Sequence, residues 1–275
     1  MMQGNTSKED FKRIQNLYDC EMPDNNIIHD LIYPFVYGEE EYIGQFSDNS
    51  ACEILFMGQK MQLPMRSRVL DIGCGTAPVA CFLAEQLGWQ ITGIDISRVP
   101  LEKAHSRINE CNLTSQIRIV HGNIYTYSFN EKFDGAYGTG AFCHFDATNL
   151  FARCRDLLRN GGVLAFMERI RIGDIEPDDW QKLTTEWACP NVYSADEYTT
   201  LLREAGFAVR VVKNLTPTFR QWQKKSVSAR EDLKEQIINL TSKQYYETSL
   251  RFAAYENDMT QADKLGYAMI IAEAA

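Results

Sequence analysis

At 275 residues the chain has room for one large α/β domain with appended segments, or for two small ones. Hydrophobic residues make up 45% and charged residues 24%, an ordinary globular balance, and no apolar run nears the roughly 20 residues of a membrane span. The net charge of −9, with no run of Lys or Arg longer than a pair such as Lys224-Lys225, lacks the cationic footprint that nucleic-acid binding leans on, so neither a nucleic acid nor a membrane is expected as partner.

The first ten residues carry no apolar signal core, which points to a cytoplasmic protein. Cys20, Cys52, Cys74, Cys81, Cys111, Cys143, Cys154 and Cys189 are scattered without a C-x-x-C pair. Zinc sites and redox dithiols normally use close spacing, so reduced, mostly buried thiols and no metal site are expected.

In chain order, residues 1–62 lack strand alternation and are rich in aromatics, with helical pieces over 8–18, 26–35 and 50–62 and a loop over 38–46. This stretch is expected to form a helical cap, and residues 63–275 the main domain. Strands follow at 69–71, 90–95, 117–121, 133–137 and 163–167, separated by helices over 79–87, 100–111 and 150–158. Such alternation predicts a parallel sheet with helices on both faces. Residues 169–193 break the pattern. Ser194-Ala195-Asp196-Glu197 has capping-box spacing and opens a helix to 205, before a sixth strand at 208–213. A second excursion covers 216–263, and 265–272 reads as a last strand.

The most informative stretch is Val69-Leu70-Asp71-Ile72-Gly73-Cys74-Gly75-Thr76-Ala77-Pro78: a buried strand, an acid, a glycine turn and a helix start. Glycines there let a ligand lie against the main chain. A dinucleotide fingerprint would place a third glycine where Pro78 stands, which argues against a pyrophosphate ligand. The acid-x-Gly-x-Gly pattern instead resembles the first motif of the class I S-adenosylmethionine-dependent methyltransferases, and the resemblance runs from about Met65 to the end. It implies a Rossmann-like seven-stranded sheet of order 3-2-1-4-5-7-6. It also implies S-adenosyl-L-methionine as cofactor and S-adenosyl-L-homocysteine as product, with Asp71, Gly73, Cys74 and Gly75 around the methionine portion. Ala77 departs from the family's usual glycine.

Asp95 ends the second strand, where a carboxylate can accept both hydroxyls of a ribose or cap the next helix. The resemblance favours ribose and sets Ile96 against the adenine, followed by Asn123 and Ile124, with Asn123 where an aspartate is usual. It places Tyr137 facing the transferred methyl and makes His144 a base or substrate anchor, against the plain alternative of a helix-capping histidine. Gly140 replaces an acidic residue common in that position. The aromatic stretch from Tyr33 to Gly44 resembles the segment that closes over cofactor in the sarcosine/dimethylglycine, phosphoethanolamine and prenyl C-methylating branches. Tyr33 is the catalytic candidate there and Tyr42 the cofactor contact; cap core is the alternative for both. No counterpart of the phosphobase Arg–Tyr pair stands near Tyr193, which argues against phosphoethanolamine.

Methyl transfer from a sulfonium is an in-line displacement, helped chiefly by positioning and exclusion of water. A base is needed only when the nucleophile carries its proton, and an unperturbed histidine near pKa 6.5 suits that role. The reading is a transferase that methylates nitrogen or oxygen of a small-molecule acceptor. C-methylation of a prenyl or polyketide-type substrate and a cofactor-binding protein without turnover are the alternatives. Neither the acceptor nor the oligomeric state is legible in the sequence.

Overall fold

The structure is a computed structural model that describes residues 8–21, 25–185 and 187–275. The first seven residues, on which part of the leader reading rests, lie outside the described set. One seven-stranded sheet runs in the order β3-β2-β1-β4-β5-β7-β6. Its strands are β1 Arg68–Ile72, β2 Gln90–Asp95, β3 Ile117–His121, β4 Phe133–Thr139, β5 Leu158–Arg171, β6 Phe207–Asn214 and β7 Leu265–Ala274. Strands β1 to β5 pair in parallel; β7 enters antiparallel between β5 and β6.

Both faces are buried, as a parallel sheet requires. Along β5, Val163, Ala165 and Met167 join one core while Leu164, Phe166 and Ile170 join the other. The helices that cover these faces are α4 Pro78–Leu87, α5 Arg98–Glu110, α6 Ala147–Leu157 and α8 Ala195–Glu204. The last opens on the expected capping box, with Ser194 Oγ accepting from Glu197 N and the Glu197 carboxylate accepting from Ser194 N.

Three departures from the expected bounds have an evident cause or consequence. β5 continues to Arg171 because it pairs with β7 as far as Arg171↔Leu265, beyond the parallel ladder; Glu168 and Arg169 had interrupted the apolar pattern. The helix α2 Asn25–Tyr37 passes through Pro34 and runs two residues beyond its expected end, and Gly38, at φ 104, follows it. The first helix, α1 Lys8–Asn16, widens into a π-helical turn over Leu17–Glu21. The remaining helices are α3 Ala51–Met61 before the sheet, α7 Pro177–Thr185 after β5, and α9 Thr216–Asp232, α10 Lys234–Leu240 and α11 Lys243–Gln261 before β7. Among the described residues no helix is long and apolar enough to cross a membrane.

Phe166 is 1% exposed and stacks on Phe142 at 4.8 Å, with Phe151 and Tyr198 completing the cluster. Phe166→Ala should cost about 3–5 kcal/mol of unfolding free energy, read as a lower urea midpoint.

Candidate active site

The C-terminal ends of β1, β2, β4 and β5 open into one cavity of about 340 Å³, the usual ligand position in an open α/β sheet. Its floor is the glycine turn and the strand ends. Its roof is α1 with the π-helical turn, residues 46–48, and parts of α2, α9 and α11. The roof is tied down at named points: Gln15 Nε2 donates to Ile96 O at 2.8 Å, and Val99 N donates to Asp19 Oδ1 at 3.1 Å.

At the turn, Gly73 (φ 73) and Gly75 (φ 52) occupy left-handed backbone, and a Cβ on Gly73 would stand 2.7 Å from Ala141 Cβ. Ala77 adopts φ 60 as the cap of α4, a conformation that costs a non-glycine residue roughly 1–2 kcal/mol. Gly73 and Cys74 N–H donate to Ile94 O, Gly75 N–H to Asp95 Oδ2, Ala77 N–H to Cys74 O, and Pro78 has none. With those donors spent inside the protein, the turn is no phosphate cradle.

Two acids face the cavity instead. Asp71 is 3% exposed, and burial pushes its carboxyl up to about 7; the Tyr137 hydroxyl lowers it and nearby Asp95 raises it. Such an acid accepts a cationic group readily, because the cation restores its ionised form. Asp95 is also raised by burial, partly offset by N–H donors from Ser97, Gly75 and Ile96. Its Oδ1 accepts from Ser97 N at 2.8 Å and its Oδ2 from Gly75 N at 2.9 Å, and with Ile96 as a third donor the carboxylate still has acceptor capacity left. Ribose binding and helix capping, posed as alternatives, are compatible. Ile96 and Ile124 line the same end, and Asn123 Oδ1 accepts from Tyr125 N at 2.9 Å, so its amide NH₂ is the freer group.

At the other end, His144 donates from Nδ1 to Ala188 O at 2.7 Å, which leaves the lone pair on Nε2, 3.0 Å from the Tyr18 hydroxyl. Burial lowers its pKa to about 4, so the ring is neutral near pH 7. Buried Glu168 holds the loop that carries it, accepting from Phe142 N at 2.7 Å and Cys143 N at 3.2 Å. Arg169 donates from Nε to Glu256 at 2.5 Å and from Nη2 to Asp48 at 2.9 Å, with its guanidinium 5.0 Å from the Trp187 ring centre. Burial raises both acids despite the guanidinium between them, Glu256 to about 7. Arg230, 6% exposed, donates to Ser249 Oγ and to the Ser226 hydroxyl and carbonyl.

Of the residues singled out in the sequence, Asp71, Gly73, Cys74, Gly75, Asp95, Ile96, Asn123, Ile124, His144 and Tyr33 line the cavity. Tyr42 and Tyr137 do not. Tyr42 is held behind Tyr33 by a 2.7 Å bond from its hydroxyl to Asp30, and Tyr137 lies in the core at 0% exposure, where its β4 position pairs with Asp71 of β1. An acid at Gly140 would be strained, since that residue has φ 64 and a Cβ there would sit 3.1 Å from Ser47 Cβ. The cavity takes its carboxylates from Asp48 and Glu256 instead. Tyr18, Arg169, Arg230 and Glu256 escaped the sequence reading; the one available signal was Glu168-Arg169 interrupting an otherwise apolar strand. Cys143, His144 and Cys189 also meet at the wall, a grouping that C-x-x-C spacing could not reveal.

A family model described as a methyltransferase domain matches residues 69–162. An O-methyltransferase from Aspergillus sclerotiorum is 26% identical over 230 residues, covering 79% of each chain. The 27-O-demethylrifamycin SV methyltransferase of Amycolatopsis mediterranei is 26% identical, covering 76% of this chain and 79% of its own. In structure the chain is similar to a cyclopropane synthase from Mycobacterium tuberculosis, with a TM-score of 0.81 at 17% identity over 96% of this chain and 98% of the other.

The raised Asp71 acid has a consequence for stability. Its stabilising, protonated form is complete below about pH 4 and lost as pH rises through about 7, so ionisation costs the ligand-free protein up to about 4 kcal/mol. Asp71→Asn should remove that loss: denaturant titrations at pH 4 and pH 8 should show the variant gaining on the parent by an amount of this order.

Proposed function

Because the chain is a class I S-adenosylmethionine-dependent methyltransferase, we propose that it methylates a nitrogen or oxygen of a small polar acceptor held between His144 and the Arg169 cluster. The observation that carries this reading is a single cavity with two chemically distinct ends. One end has two acids beside a glycine turn most of whose N–H groups are spent; the other has His144, Asp48, Arg169, Arg230 and Glu256.

In this reading Asp71 accepts from the cofactor's ammonium, and Gly73, Cys74 and Gly75 lie along its methionine portion. Asp95 takes the ribose hydroxyls on its remaining lone pairs. Ile96 and Ile124 sandwich the adenine, and Asn123 donates to it. Bound S-adenosylmethionine supplies a methyl group on a sulfonium, the leaving group of an in-line displacement. His144, neutral with a conjugate acid near 4, accepts the acceptor's N–H or O–H at Nε2 and so turns a lone pair toward the methyl. It anchors better than it deprotonates. Tyr33 walls the cavity, and the roof excludes water.

Residues 1–62 act as a lid over a catalytic domain of 63–275, with 169–193 and 216–263 as insertions that shape the acceptor end. The cavity has aromatic faces, among them Tyr18, Phe46, Trp187 and Phe252, but the charged groups Asp48, Arg169, Arg230 and Glu256 beside them weigh against C-methylation through a carbocation, which would call for few polar groups. The eight free thiols suit a reducing compartment, hence a cytoplasmic enzyme.

Calorimetry with S-adenosylmethionine, then S-adenosylhomocysteine release across amine, phenol, carboxylate and prenyl acceptors, tests the proposal. Turnover on prenyl substrates alone would move the reading to C-methylation, and binding with no turnover would leave a cofactor-binding protein. Asp95→Ala should weaken S-adenosylhomocysteine binding about a hundredfold, near 2.7 kcal/mol; a change within a few-fold would remove Asp95 from the site. Cofactor affinity in the parent should rise from pH 6 to pH 8 as Asp71 ionises, and Asp71→Asn should flatten that slope.

A further inference from the structure

Cys143 follows β4 and Cys189 lies in the segment between α7 and α8, yet their sulfurs are 3.3 Å apart. A ring nitrogen of His144 joins them, and the three ligand atoms lie within 4.8 Å of one another. All three residues are buried, and all three line the cavity. We propose that Cys143, His144 and Cys189 bind a zinc-class ion, with the fourth coordination position open to the acceptor end of the cavity.

The donor set selects the metal. Two thiolates and an imidazole suit zinc or cuprous copper and do not suit magnesium or calcium, which take oxygen. The Glu168 carboxylate of β5, which holds this loop, is committed to the Phe142, Cys143 and Arg169 N–H groups and is no competitor.

Spacing agrees with the donor chemistry. Metal–sulfur bonds of about 2.3 Å at a tetrahedral angle set two sulfurs about 3.8 Å apart, so the pair needs to open by only about half an ångström. A disulfide would require it to close by more than 1 Å. The imidazole is oriented as metal-bound histidines are, by donating its Nδ1 proton to a backbone carbonyl, here Ala188 O at 2.7 Å.

Charge is also balanced. Two thiolates neutralise a divalent ion, and the nearby Arg169 guanidinium is held between Asp48 and Glu256. Three protein ligands with an open position form the arrangement of a reactive zinc site, able to take an acceptor oxygen or sulfur. The site stands on this geometry; an ion on Nε2 displaces the Tyr18 hydroxyl and takes the lone pair that the methyl-transfer reading gives to the acceptor, so the two roles of His144 are mutually exclusive states.

Cobalt(II) titrated into the full chain, kept reduced with a phosphine and free of cofactor, is the probe. The expected result is one ion per chain, a near-ultraviolet thiolate-to-cobalt band, tetrahedral visible bands, loss of colour on adding zinc, and release of two protons per ion. Cys143→Ser and Cys189→Ser should each weaken binding at least tenfold and diminish the thiolate band, the double variant should lose it, and His144→Gln should weaken binding about tenfold. Near-ultraviolet circular dichroism of the metal-free variants, matching the parent, checks that each still folds. Absence of the band in the parent, or its persistence in the double variant through exposed Cys20, Cys52 or Cys111, would overturn the proposal.

Discussion

The roof of the cavity depends on one largely buried guanidinium. Arg169 extends from β5 and is met by Asp48 from the segment before α3, by Glu256 from α11 and by the face of Trp187. These partners are distant in sequence, and removing Arg169 would leave the Asp48 and Glu256 carboxylates buried without their shared cation, a loss of roughly 3–5 kcal/mol. The same residue sits where β5 outruns its parallel neighbours and pairs with β7 at Arg169↔Tyr267. The antiparallel insertion of β7 therefore decides where the guanidinium stands, and the guanidinium decides where three roof segments meet.

The floor is governed by a different electrostatic problem. Asp71 and Asp95 end neighbouring strands β1 and β2, and each acid is raised by burial, with Asp95 adding to the rise at Asp71. Asp95 eases its burial by accepting from Gly75 and Ser97, which also holds the glycine turn in place. Asp71 has less relief and awaits a cation. A methyl donor that carries an ammonium group is the complement of that arrangement, whereas a pyrophosphate would meet two acids and few free N–H groups.

Between floor and roof stands His144, whose position shows how burial converts one role into another. An exposed imidazole would be a fair base at neutral pH. Here the pKa of about 4 makes it a neutral lone-pair donor, oriented through Ala188 O and touched by Tyr18 from the N-terminal roof. A lone pair held that way can orient an acceptor proton or ligate a soft ion. π-Helical turns are often found at functional positions, and the one over Leu17–Glu21 is what brings Tyr18 to this ring.

Much was legible in the chain alone. Short apolar runs and their alternation with helical stretches determined the sheet, because residues buried on both faces must be apolar in any context. Gly73, Gly75, Asp71 and Asp95 were legible because their roles are local: a backbone conformation and a strand end need no distant partner. What only the tertiary structure decided were meetings between segments far apart in sequence. Tyr42 was lost to Asp30, Tyr137 to the core, and β5 ran on past a charged pair because β7 was there to bond it. Arg169, Glu256 and Asp48, like Cys143 and Cys189, became neighbours only when β7 closed the sheet and the roof folded over it. Local periodicity carries no information about such pairings, since their energy comes from burial of charges and donors that lie tens to more than 200 residues apart along the chain.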